Sequence, residues 1–125
     1  MNYELVINQQ LPSYNEYINA CRSHWSKGAA FKSRVEKWIQ YAILCARADK
    51  KLLPFTEPCI ISIEWHEKTM KRDVDNIQSA QKFILDALQS MQVIPNDNRR
   101  YVKQIYHTIV DDDRDYVVVR FKEAK

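Results

Sequence analysis

Hydrophobic positions alternate with polar ones over residues 3–8, where Tyr3, Leu5 and Ile7 give the spacing of a first strand. Pro12 and Ser13 then interrupt it, and residues 13–24 read as a loop with a helical turn. From residue 26 to 49 the period changes: Phe31, Val35, Trp38, Ala42 and Cys45 recur at helical intervals between charged residues, predicting a long amphipathic helix. After Pro54 and Pro58, Ile61, Ile63 and Trp65 alternate with Ser62, Glu64 and His66, a half-buried strand running toward Lys71 and Asp75. Ile77, Ala80, Ile84, Ala87, Leu88 and Met91 predict a second helix over residues 76–92, stopped by the Ile94-Pro95-Asn96-Asp97 turn. Residues 101–110 and 116–122 are rich in Val, Ile and Tyr and are split by Asp111-Asp112-Asp113-Arg114-Asp115, the pattern of two antiparallel strands joined by an acidic turn. The predicted order is β-α-β-α-β-β, an α/β (α+β) fold in which two main helices pack on a small mixed sheet, as one domain over residues 1–125.

Composition leaves this picture intact. With 125 residues, 46% hydrophobic and 28% charged, the chain matches an ordinary single globular domain. The net charge of +3 does not by itself establish a nucleic-acid partner. Placement says more, because Lys68, Lys71, Arg72, Lys82, Arg99, Arg100 and Lys103 crowd the middle of the chain, where an anionic substrate would be drawn. Cys21, Cys45 and Cys59 form no CxxC pair, so reduced and mostly buried thiols are expected. The first residues lack a basic leader and no stretch approaches the roughly 20 apolar residues of a membrane span, so no membrane partner and a cytoplasmic location are expected. A single glycine, Gly28, leaves no room for a phosphate-binding glycine loop, hence no nucleotide cofactor is expected.

The candidate chemistry lies in carboxylates. Asp73 and Asp75 stand two apart, so on extended backbone their side chains leave one face and can approach one cation. Hard oxygen donors of this kind suit Mg²⁺, with Mn²⁺ as a substitute. The bland alternative is a capping box, with Asp75 at the N-cap and Gln78 reaching back. On a continuous helix Asp75, Lys82 and Asp86 fall on one stripe, although Lys82 and Asp86 alone are also an ordinary i, i+4 surface pair.

Taken as a set, Arg72-Asp73-Val74-Asp75-Asn76, then Lys82-Phe83-Ile84-Leu85-Asp86-Ala87-Leu88, then Ile94-Pro95-Asn96-Asp97 resembles the RusA-type Holliday junction resolvases. Leu11-Pro12-Ser13-Tyr14-Asn15-Glu16-Tyr17 is similar to that family's N-terminal signature, and the likeness spans most of the chain in the right order. The resemblance implies an Mg²⁺-dependent endonuclease that resolves four-way junction DNA in recombination and repair. It implies that Asp73, Asp75 and Asp97 bind the metal, that Lys82 assists at the scissile phosphate, and that Arg72 and the Asn15 loop contact DNA. Lys71, Arg99 and Arg100 would add DNA contacts, Asn76 and Asp86 would support the site, and a homodimer would cut opposing strands. The chain departs from the pattern in placing Lys82 six residues after Asn76, where familiar members have three, and in carrying Asn96 in place of a second Asp.

Other features carry less. His24, His66 and His107 show no ligand-like spacing, and His66 stands out only for its place on the strand that leads to the carboxylates. The acidic run reads as a solvated hairpin turn. Trp25, Trp38, Trp65 and the tyrosines are expected mainly in the core, although as stacking platforms they would suit the rival reading, a noncatalytic DNA-binding module of the same fold.

Overall fold

The computed structural model describes residues 3–124. Strands β1 (Glu4–Ile7), β2 (Cys59–Glu67), β3 (Val102–Asp111) and β4 (Tyr116–Glu123) form one sheet in the order β1-β4-β2-β3. Helices α1 (Tyr14–Ser23), α2 (Trp25–Ala48), α3 (Val74–Gln78) and α4 (Gln81–Ser90) complete a mixed α+β fold. On one sheet face Leu5, Ile7, Ile61, Ile63, Trp65, Val117, Val119 and Phe121 are buried in a single core with Val35, Ile39 and Ile43 of α2 and Phe83, Ile84 and Leu88 of α4. The alternation read along β2 survives intact, because a central strand covered on one face must place every second side chain in the core.

The last two strands depart from the expected hairpin. β4 pairs antiparallel with both β1 and β2, while β3 lies parallel to β2 on its other side. Residues 112–115 therefore cross the end of β2 instead of turning a hairpin. Asp112 N–H donates to the Glu67 carbonyl at 3.0 Å, and Lys68 N–H donates to Asp115 Oδ1 at 2.8 Å, so the acidic run is tied to β2 at both ends. Either topology has the same alternation along each strand, and only the need of nearly buried β2 for neighbours on both edges separates them.

Three local corrections concern helices. Residues 14–23 form a full helix because Ser13 and Glu16 make a reciprocal capping box, Ser13 Oγ accepting from Glu16 N–H and the Glu16 carboxylate accepting from Ser13 N–H. The helix predicted over 76–92 is divided into α3 and α4 by a turn at Ser79 and Ala80. α2 buries Val35, Ile39, Ala42, Ile43 and Ala46, which rotates Cys45 to the surface; Cys21 is exposed as well, and only Cys59 of the three free thiols is buried. Trp25 likewise is 79% exposed, against the expectation that the tryptophans pack inside.

Both α2 and α4 end in the same way. Lys50 and Gln92 adopt φ 58°, and the next residues, Lys51 and Val93, donate back to Ala46 and Leu88 carbonyls at 2.8 Å. These are Schellman turns closed by residues other than glycine. The chain's one glycine is used elsewhere: a Cβ at Gly28 would stand 2.4 Å from Cys21 Sγ, so its absence lets α1 lie close against α2.

His107 adds a pH dependence to this core. Trp65 Nε1–H donates to His107 Nδ1 at 2.9 Å, and His107 Nε2 meets Gln81 Oε1 at 2.8 Å, an arrangement that suits the neutral ring. Burial lowers its pKa below the ordinary 6.5. The unfolded chain therefore takes up the proton first as pH falls through 6.5, and stability declines from there down to the folded-state pKa. His107→Gln, which cannot titrate, should show a smaller loss of urea midpoint between pH 7.5 and pH 5.5 than wild type.

Candidate functional site

The site is built where β2 ends. Glu67, 5% exposed, receives two bonds from Arg72, from Nε at 3.1 Å and from Nη2 at 2.9 Å, and one from Gln10 Nε2 at 3.3 Å. Arg72 Nη1 also donates to the Leu11 carbonyl at 2.8 Å. The guanidinium is thus turned inward, fastening the loop of residues 68–72 to the segment before α1, with 18% of the side chain left exposed. A bidentate carboxylate–guanidinium pair fixes orientation as well as distance, so the residue that follows, Asp73, is held at a defined point.

Asp73 is the N-cap of α3 with extended backbone (φ −73°, ψ 157°); its carbonyl accepts from Ile77 N–H at 3.1 Å, but its carboxylate caps nothing. Asp75 lies inside the first turn of α3, where Oδ1 accepts from Asn76 N–H at 3.0 Å. Both are exposed. The two do not stand on extended strand as the spacing argument assumed, and Asp75 is not the N-cap of a box with Gln78. The chain turns helical two residues earlier, because buried Ile77 draws the first turn onto the core.

The neighbouring segments come from far along the chain. Asn15 Nδ2 donates to Asn76 Oδ1 at 3.4 Å, and the Ser79 hydroxyl donates to the Asn76 carbonyl at 2.7 Å while accepting from Tyr14 N–H at 3.0 Å. Ser79, at the turn that divides α3 from α4, is therefore the rivet between that turn and the start of α1. On α4, Lys82 Nζ lies 2.8 Å from Asp86 Oδ1. That hydrogen bond raises the lysine's pKa against a lowering by partial burial, and the charges of Asp86 and Asp97 act in the same upward direction. Asp97 N–H donates to Gln89 Oε1 at 3.3 Å, which joins the turn to the last helical turn of α4.

The stripe argument holds only in part, since Lys82 and Asp86 share a helix and Asp75 belongs to another. Among the described residues no three His, Cys, Asp or Glu side chains converge into a set able to hold a metal ion, so Asp97 does not join Asp73 and Asp75 in this arrangement. The donor chemistry of the first pair nonetheless fits a hydrated Mg²⁺, which commonly takes one or two carboxylates and keeps several waters; the Asp73 carboxylate in particular makes no cap hydrogen bond.

Of the cations, Lys68, Lys71, Arg99, Arg100 and Lys103 are exposed, and the last three line one shallow concavity with Val102. His66, mostly buried, places Nδ1 2.8 Å from Asp112 Oδ2 and Nε2 3.2 Å from Glu64 Oε1, and stacks on Tyr116 with centroids 3.9 Å apart. It clamps the crossing segment to β2 and takes no part in the carboxylate site. Sequence reasoning missed Glu67 and Ser79. Glu67 stood at an inward position at the end of the alternation on β2, which makes a buried carboxylate in need of a partner, whereas Ser79 gave no signal within a pattern that read as unbroken helix.

No family model matches the chain, and no curated protein matches it either. Among the described residues no helix is long and apolar enough to cross a membrane.

Proposed function

We propose that this chain is a divalent-cation-dependent DNA endonuclease that acts as a pair on four-way junctions, within the cytoplasm. The observation that supports this most is that the N-terminal segment, far away in sequence, is bonded to α3 and the turn that follows it, Tyr14 N–H donating to Ser79 and Asn15 to Asn76, beside the helix that carries Lys82. These are the segments that carry the resemblance, and a resemblance confined to sequence would not require them to meet.

In this reading Asp73 and Asp75 would hold Mg²⁺, with Mn²⁺ able to replace it. When bound, the cation supplies charge neutralisation at the phosphate and lowers the pKa of a bound water. The chain's own side chains do the rest. Arg72 and Glu67 fix the loop that presents Asp73, Asn15 and Ser79 hold the turn that presents Asp75, and Asp97 with Asp86 keeps Lys82 charged and oriented. Lys82, released from Asp86 toward a phosphate, would stabilise the negative charge that grows on the non-bridging oxygens.

Lys71, Arg99 and Arg100 supply the field that draws the DNA backbone. Replacing these three by Ala should weaken junction binding and flatten its salt dependence, by about 0.9 in the slope of log K against log salt for each phosphate that is no longer neutralised. A triple variant with the wild-type slope would remove them from the interface.

One observation favours a second reading, a noncatalytic binding module: Lys82 is engaged by Asp86. Labelled four-way junction, linear duplex and single strand, each incubated with Mg²⁺ and with chelator, separate the two. Paired symmetric incisions in the junction alone, dependent on the cation, are expected. Binding without incision would assign the chain to the module, and incision of all three substrates to a less selective nuclease.

A further inference from the structure

We propose that the free edge of β3 is where two copies of this chain meet, the two strands pairing antiparallel about His107. β3 is ten residues long and has one neighbour, β2. No backbone hydrogen bond from residues 103–110 reaches anything else among the described residues. Exposed strand edges are usually kept short or broken by proline. This one has no proline over its ten residues, and its only interruption is the irregularity at its start, where Lys103 is set out of the ladder between Val102 and Gln104.

What selects a second copy as the occupant is charge. The edge carries Lys103 at its start and Asp111 at its end, with Arg99 and Arg100 just before the strand, whereas residues 112–115 leave this edge to cross the end of β2. Antiparallel pairing of two identical strands is a two-fold, self-complementary contact, and it lays Lys103 of each copy beside Asp111 of the other. Parallel pairing would set like charges side by side at both ends.

Centred on His107, the register sets Lys103 beside Asp111 of the other copy, Ile105 opposite Ile109, and Tyr106 opposite Thr108. Ile105 and Ile109 are only partly buried at the margin of the core, and Tyr106 is 51% exposed, so the pairing covers apolar surface that a single copy leaves open. The two sheets become one of eight strands. This gives the pairing in the proposed function a location, but it stands on the strand's charge pattern and is read without any cleavage.

Sedimentation equilibrium of wild type, Lys103→Glu and Asp111→Lys tests it. Wild type should be dimeric, and each variant, with like charges facing at both ends, should dimerise at least about tenfold more weakly. An equal mixture of the two variants should recover dimers, because in the mixed pair both contacts are again between opposite charges. A monomeric wild type overturns the proposal, as do variants that dimerise like wild type or a mixture no better than its components. Hydrogen exchange of wild type needs no variant: β3 amides should gain protection as concentration rises through the dimerisation range, and dimers whose β3 amides exchange unchanged place the contact elsewhere.

Discussion

In the proposed function, Asp73→Asn should remove junction cleavage and leave junction binding and thermal stability close to wild type. The substitution keeps shape and removes one negative charge, and because among the described residues the Asp73 carboxylate caps no backbone N–H and pairs with no cation, folding should lose little by it. The main-chain bond from Ile77 N–H to the Asp73 carbonyl, which starts α3, is untouched. If Asp73 is the least encumbered ligand of the proposed Mg²⁺, the incision rate should fall more than about 100-fold, beyond the loss expected from disturbing a partner outside the ligand shell. Incision rates in Mg²⁺, binding in chelator and a melting curve on the same preparation read the three effects separately. A variant that cuts at the wild-type rate would remove Asp73 from the site, and one that melts early would show that its role is structural. Asp75→Asn is a useful comparison, since Asp75 also bonds Asn76 N–H and should lose some stability along with activity.

The pattern of side chains disclosed the elements more fully than their arrangement. Period-2 alternation in β2 and helical spacing in α2 report which residues are covered, and burial at Ile61, Ile63, Trp65, Val35 and Ala42 follows that reading. What alternation does not carry is the neighbour of each strand. Val117 and Val119 read the same whether β4 turns back on β3 or, as here, slots between β1 and β2, and the deciding contacts are the single bonds by which Asp112 and Asp115 cross the end of β2.

The carboxylate site was legible as a set of residues and illegible as a geometry. Asp73, Asp75, Lys82 and Asp86 were found by type and spacing, yet the turn at Ser79 and Ala80 changes which of them share a helix. A break without glycine or proline leaves no mark in the hydrophobic period, because Ile77, Ala80 and Ile84 are buried on either side of it. Arg72 shows the converse: as a cation beside two aspartates it read as a DNA contact, and only the buried Glu67 five residues earlier explains why it faces inward.

Glu67→Ala should cost about 3 kcal/mol of stability, the low end of what breaking a buried ion pair costs, because the Arg72 side chain keeps some exposure, 18%, and the Leu11 carbonyl as a remaining partner. At this chain length that corresponds to a fall in Tm of roughly 10 °C. Arg72→Ala should cost at least as much, since it strands a carboxylate only 5% exposed with Gln10 as its side-chain donor. The double variant should lose clearly less than the two single losses added together, because each single change includes the penalty of leaving the other charge unpaired. Denaturant unfolding of the four proteins measures this directly, and additivity would mean that the two side chains do not act on each other in solution. The pair also decides where Asp73 sits: with Glu67 gone, the loop of residues 68–72 loses its tether at β2 while the aspartates remain in the chain. Glu67→Ala, assayed well below its melting temperature, should therefore bind junctions nearly normally but require more Mg²⁺ for half-maximal incision, whereas a purely structural role would leave that Mg²⁺ dependence where it is in wild type.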